Sequence, residues 1–185
     1  MKFANQVEIM DNFSLLLNSI ECPKLRKVCE ELREYKDFWT HPASIGHHHD
    51  FEGGLVVHTF EVIEFATHMS KLFADSSDDI IVTAGLWHDL AKIYEYSKTA
   101  DGFWIKNDYH GKVHHISGST AEFTAIAMKH DISREMIQKV QHCIISHHGT
   151  KEWGSPRKPE SLEAIILHQS DMLSAMYPIH TTPIQ

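Results

Sequence analysis

Residues 80–92 read Ile80-Ile81-Val82-Thr83-Ala84-Gly85-Leu86-Trp87-His88-Asp89-Leu90-Ala91-Lys92, and how this run folds decides much of the rest. It predicts a helix over residues 77–92, with Asp78 and Asp79 in a first turn where acidic groups complement the helix dipole. A histidine–aspartate pair on a helix surface belongs among polar neighbours. Here Ile80, Ile81, Ala84, Leu86, Trp87, Leu90 and Ala91 surround it, so at least one of His88 and Asp89 faces inward. Lys92 follows His88 by four residues and shares its face.

The same oddity recurs on both sides of this run. A helix over 54–73 carries Leu55, Val62, Phe65, Met69 and Leu72 at three- and four-residue steps, and His58 stands where that stripe wants another apolar residue. A helix over 133–147 shows Ile137, Val140 and Ile144, then ends in His147-His148 before Gly149. A last helix over 159–176 holds Asp171 amid Ile165, Ile166, Leu167, Met172 and Leu173, with His168 one turn earlier. One buried histidine is ordinarily a hydrogen-bonded core residue. Four helices that each aim a histidine or aspartate at a shared interior call for a common partner, because carboxylates are rarely buried unless paired or metal-bound. Imidazole nitrogen together with carboxylate oxygen suits Mn²⁺, Fe²⁺, Zn²⁺, Co²⁺ or Ni²⁺. The expectation is a site for one or two divalent ions, Mg²⁺ included, of undetermined identity.

Composition sets the frame. The chain has 185 residues, 42% hydrophobic and 23% charged, with no low-complexity tract, which excludes disorder and suits one domain over 1–185. Its longest apolar runs, such as Ala164 to Leu167, are too short to span a bilayer. Residues 1–6 lack the apolar stretch of a signal peptide, and Cys22, Cys29 and Cys143 show no metal-type spacing, so reduced thiols in a cytoplasm are expected. The formal charge of −8 excludes broad electrostatic attraction to duplex nucleic acid, although bound cations can invert the local charge for a phosphate. Sixteen histidines are the anomaly, and apart from His47-His48-His49 most are dispersed. Helices are expected over 6–20, 23–38 and 117–129, a loop over 40–54, a small hairpin within 94–106 turning at Ala100-Asp101-Gly102, and a tail over 177–185. The fold class is all-α with one small β excursion: N-terminal helices over 1–46, then a core over 47–176.

The ordered pattern His58, His88-Asp89, Asp171 resembles the HD-domain superfamily of metal-dependent phosphohydrolases. Within it, the chain looks most like the HD domain of the YhaM-type 3′-to-5′ exoribonucleases. The resemblance runs from His48-His49-Asp50-Phe51-Glu52-Gly53-Gly54-Leu55 into His58-Thr59 and through Gly85 to Lys92 and His115-Ile116. It continues through Ile145-Ser146-His147-His148-Gly149 and Gly154-Ser155-Pro156 to the segment from Glu163 to Asp171. Those exonucleases carry an N-terminal oligonucleotide-binding barrel, whereas residues 1–46 read as helices, so no barrel is expected within this sequence. A similar Gly-Gly-Leu-x-x-His-Thr signature occurs in HD modules of plasmid-transfer relaxases.

The resemblance implies an all-α fold and a set of roles. His58, His88, Asp89 and Asp171 would hold one metal, and His115 with His147 or His148 a second, Asp89 bridging. Metal-activated hydroxide would then attack phosphorus, with Lys92 stabilising the developing charge. From their own position before the Gly53-Gly54 hinge near His58, His48 and His49 read either as contacts to phosphate or proton donors to the leaving group, or as a solvated loop. By its own composition, the loop over 150–159 reads either as a substrate contact, with Lys151, Arg157 and Lys158 meeting substrate charge and Trp153 stacking on a base, or as an ordinary solvated loop. No role falls to His41, His68, His110, His130, His142 or His180, which read mostly as surface residues. The implied activity is a phosphodiesterase or 3′-to-5′ exonuclease acting on a single-stranded nucleic-acid end or a phosphate-containing small molecule. A nucleotide phosphomonoesterase or triphosphohydrolase, and a non-catalytic nucleotide-sensing module, stand as alternatives.

Overall fold

Two helices are buried on every side where they meet, and the others wrap them. In α3 (Gly54–Ser70) every residue from Gly54 to Ile63 is buried, and in α4 (Asp78–Trp87) every residue from Ile80 onward is. Gly85 lets the pair close: a Cβ there would come within 2.5 Å of Ile63 Cγ1. The computed structural model describes residues 6–179. The start read for a signal peptide, and the end of the expected tail with His180, lie outside the described residues.

Ser side chains start the long helices where the sequence supplies them. Ser77 accepts from Ile80 N at the head of α4, Ser133 from Met136 N in α8 (Arg134–Ser146), and Ser161 from Ala164 N in α9 (Leu162–Met176). Helix α9 packs along α3, α8 lies against both α4 and α9, and α7 (His115–Lys129) packs on α8. At the other side, α1 (Gln6–Ser19) and α2 (Pro23–Glu30) close the core, Phe13 stacking on Phe60 at 6.5 Å. Cys29 and Cys143 are buried free thiols, as small core residues would be. Among the described residues no helix is long and apolar enough to cross a membrane.

The all-α reading agrees with this architecture, but several boundaries move. The helix expected over 23–38 stops at Glu30 and continues as two 3₁₀ turns, Glu31–Glu34 and Lys36–Trp39. Leu32, Tyr35 and Phe38 recur every three residues there, which suits the tighter turn and turns Leu32 and Phe38 into the core. The helix expected over 77–92 breaks at Trp87. Leu90, Ile93 and Tyr94 then bond to carbonyls three residues back, and a single turn, α5 (Lys92–Glu95), follows. Helix α3 ends at Ser70, whose hydroxyl reaches Asp78, so Leu72 is 78% exposed and Phe65 and Met69 only half-buried. The hairpin is real and short: β1 (Tyr96–Lys98) pairs antiparallel with β2 (Trp104–Lys106). A one-turn helix not foreseen, α6 (Asp108–Lys112), is capped by Asn107. His41, read with the surface histidines, is buried, its ring 4.4 Å from that of Trp104.

Candidate metal centre

Five elements deliver side chains to one point. His58 comes from the buried part of α3, His88 and Asp89 from the break after α4, His115 from the first residue of α7, His147 from just past α8, and Asp171 from α9. Asp89 is the centre. Its Oδ2 lies 3.5 Å from His58 Nε2 and 3.4 Å from His88 Nε2, its Oδ1 3.3 Å from His115 Nε2 and 3.5 Å from His147 Nε2. Asp171 Oδ1 is 3.1 Å from His58 Nε2 and 3.9 Å from His88 Nε2. Two lobes result: His58, His88 and Asp171 on one side, and Asp89 with His115, His147 and half-buried His148 on the other. Lys92 Nζ sits 2.6 Å from Asp89 Oδ2, and the lysine is itself buried.

The far nitrogens explain what the near ones can do. His88 Nδ1–H donates to Gly85 O at 2.7 Å, His147 Nδ1–H to Ile144 O at 2.7 Å, and His148 Nδ1–H to Trp153 O at 2.6 Å. A carbonyl only accepts, so in each neutral ring the proton is on Nδ1 and Nε2 is a bare lone pair. Ser174 hands its hydroxyl hydrogen to Glu61 at 3.0 Å and therefore accepts from His58 Nδ1, also at 3.0 Å. His115 Nδ1 meets Glu95 Oε1 at 3.2 Å. The Nε2 atoms of His58, His88, His115 and His147 are buried without a hydrogen-bond partner, and each faces carboxylate oxygen. Lone pair facing lone pair repels unless a cation lies between, so this donor set fits a divalent metal.

Charge points the same way. Burial drives His58 and His115 down to about 4 against the pull of their carboxylates, and His148 to about 3. Burial would raise Asp89 and Asp171, yet Lys92 beside the first and His58 beside the second hold both below the usual carboxylate range. His88 alone among these rings is pushed up, because Asp89 and Asp171 outweigh its burial.

His48 and His49 part company. Gly54 lacks a Cβ that would collide with His49 O, and this close approach, with His49 at φ 48°, turns the His49 ring to Glu61, 3.2 Å away. His48 lies against His58, ring centres 4.7 Å apart, and burial first, then His58, pushes it down to about 2. It is a poor proton donor there. Lys151, Trp153, Arg157 and Lys158 are exposed and do not join the lobes. Their loop is tied to the second lobe through the Trp153 carbonyl and through Ser155, whose hydroxyl accepts from His148 N. The three cations line a surface hollow of about 420 Å³ that Glu152 and Glu160 share. Glu61 and Glu95, both buried, were missed from sequence. The signal was there for the first: a glutamate three residues past His58, between Phe60 and Val62 in a mostly apolar stretch of helix.

Comparison with known proteins gives the following. The HD domain family model matches residues 55–176. The chain is 32% identical over 174 residues to the 3′-5′ exoribonuclease YhaM of Listeria welshimeri, covering 92% of this chain and 55% of that protein. It is 30% identical over 171 residues to the 3′-5′ exoribonuclease YhaM of Bacillus subtilis, covering 91% and 54%. The chain thus spans about half the length of the curated relatives it matches. No solved structure matches it.

Proposed function

The chain belongs to the HD-domain family, and from that premise we propose that it is a divalent-metal-dependent phosphodiesterase that shortens single-stranded RNA from the 3′ end. The observation that carries the metal reading is the convergence of unpartnered, proton-free imidazole nitrogens on the two oxygens of Asp89. The RNA end is taken from the activity in the names of its relatives. His58, His88 and Asp171 would hold one cation and His115 and His147, with His148 beside them, a second, Asp89 serving both. Such a pair would supply Lewis-acid stabilisation at phosphorus and acidify the attacking water.

The chain's own groups do the rest. Burial would lower the Lys92 ammonium, but Asp89 outweighs it and keeps the charge in place, where it can meet negative charge gathering on phosphoryl oxygens. His48, held neutral, offers an N–H to a phosphate oxygen. Lys151, Arg157 and Lys158, exposed on the loop tied to His148, are assigned to the departing backbone, and exposed Trp153 to stacking on a base. Residues 47–176 act as the metal-binding core, in a reducing cytoplasm where Cys29 and Cys143 stay thiols.

The test is the Mn²⁺-reconstituted chain given bis-p-nitrophenyl phosphate, p-nitrophenyl phosphate and a 5′-labelled RNA oligonucleotide. Diester turnover and a ladder shortening from the 3′ end are expected. Hydrolysis of the monoester alone would overturn the proposal.

A further inference from the structure

Glu95 closes the one-turn helix α5 and is 1% exposed. A carboxylate at that depth needs its lone pairs met, and three N–H groups meet them. Oε1 takes both the backbone N–H of His115, at 2.5 Å, and its ring Nδ1–H, at 3.2 Å. Oε2 takes His110 Nδ1–H at 3.0 Å. One oxygen therefore grips His115 at backbone and ring together, just where the chain enters α7 through His114 at φ 67°.

The other ligand rings are held differently. His88 and His147 bond to carbonyls three residues back on their own chain, which no side-chain substitution removes, and His58 leans on the Ser174 hydroxyl. Among these four, only His115 rests directly on a carboxylate. That acceptor keeps its proton on Nδ1, leaves Nε2 bare 3.3 Å from Asp89 Oδ1, and makes the ring a stronger donor.

We infer that Glu95 is the positioning residue of the second lobe, and that it decides whether the chain fills one cation site or two. This rests on the proposal that Asp89, His115 and His147 hold a cation. Mn²⁺ titration of the intact chain, followed by calorimetry and by metal analysis, tests it. The parent is expected to bind two equivalents. Glu95→Ala is expected to keep the first at parental affinity and to bind the second roughly 10- to 100-fold more weakly. Glu95→Gln, whose amide oxygen still accepts the Nδ1–H, is expected to recover part of that loss.

A second measurement does not depend on the variants folding. Long-range ¹H–¹⁵N spectra of the metal-free parent at neutral pH should show His115 protonated on Nδ1 and bare on Nε2. The inference is overturned if Glu95→Ala binds both ions like the parent or loses both equally, or if His115 carries its proton on Nε2. A parent that binds a single ion overturns the role of Glu95 alone. A parent that binds none overturns the functional proposal and this inference with it.

Discussion

The lobe formed by His58, His88 and Asp171 and the lobe formed by His115 and His147 share Asp89 but are built differently. The first draws on α3 and α9, which pack on each other, and on the turn just past α4, so His58 and Asp171 inherit their aim from helices already fixed by apolar contacts, while His88 is aimed by its bond to Gly85 O. The second draws on the first residue of α7 and the residue after α8, where backbone groups are no longer paired within a helix. There the aim is secured by added anchors: Glu95 for His115, the Trp153 carbonyl and the Ser155 hydroxyl for His148. A ligand inside a helix is positioned by the core. A ligand at a helix end needs its own support.

Removing the shared residue erases the contrast and gives the largest effect. Asp89→Asn is expected to empty both lobes and lower metal-dependent turnover by roughly 10³-fold or more, as loss of several kcal/mol of charge stabilisation requires. Rates at saturating Mn²⁺ with bound-metal analysis would check it.

Chelation removes both cations at once without changing the chain. With free metal at 100 times its dissociation constant, a single site adds about 2.7 kcal/mol to stability. In a chain of this size each kcal/mol moves the midpoint by about 2–4 °C. Calorimetric melting with and without EDTA should therefore differ by at least several degrees, and coincident melts would deny that the folded lobes bind metal.

Within the second lobe, His147 is fully buried and faces Asp89 at 3.5 Å, whereas His148 is half-buried. His147→Ala is expected to reduce turnover about tenfold more than His148→Ala, a difference of about 1.4 kcal/mol. The reverse order would make His148 the ligand.

The smallest effect lies in the anchor's pH dependence. Burial would raise Glu95, but bonds from His115 and His110 outweigh it and bring it to about 2 from an ordinary 4.5. A carboxylate depressed in the folded state adds stability that is fully present above about 4.5 and is lost as pH falls towards 2. Urea midpoints of the metal-free protein across that window should fall less steeply for Glu95→Gln than for the parent. Parallel slopes would contradict the depressed value.

The difference between the lobes also decided what was legible in sequence. His58, His88, Asp89 and Asp171 stand out because an apolar helix displays a polar intruder, and the structure brings all four together. His115 entered through family resemblance alone, and the choice between His147 and His148 stayed open, because helix ends carry no periodicity. Glu95 was invisible for the same reason: a glutamate after Lys92 reads as solvent-facing until α5 folds it under α7. The stripe through Leu72 misled because α3 is buried on all faces at its start and on one face later, so no single spacing describes it. The family and the all-α class were readable, since both rest on the helices that frame the first lobe.

The most direct test is an anomalous difference map from crystals of the intact chain grown with Mn²⁺. The account predicts one peak among His58, His88 and Asp171 and another among His115 and His147, with Asp89 between them. A map with no peak beside Asp89, from crystals in which these side chains are ordered, would contradict it.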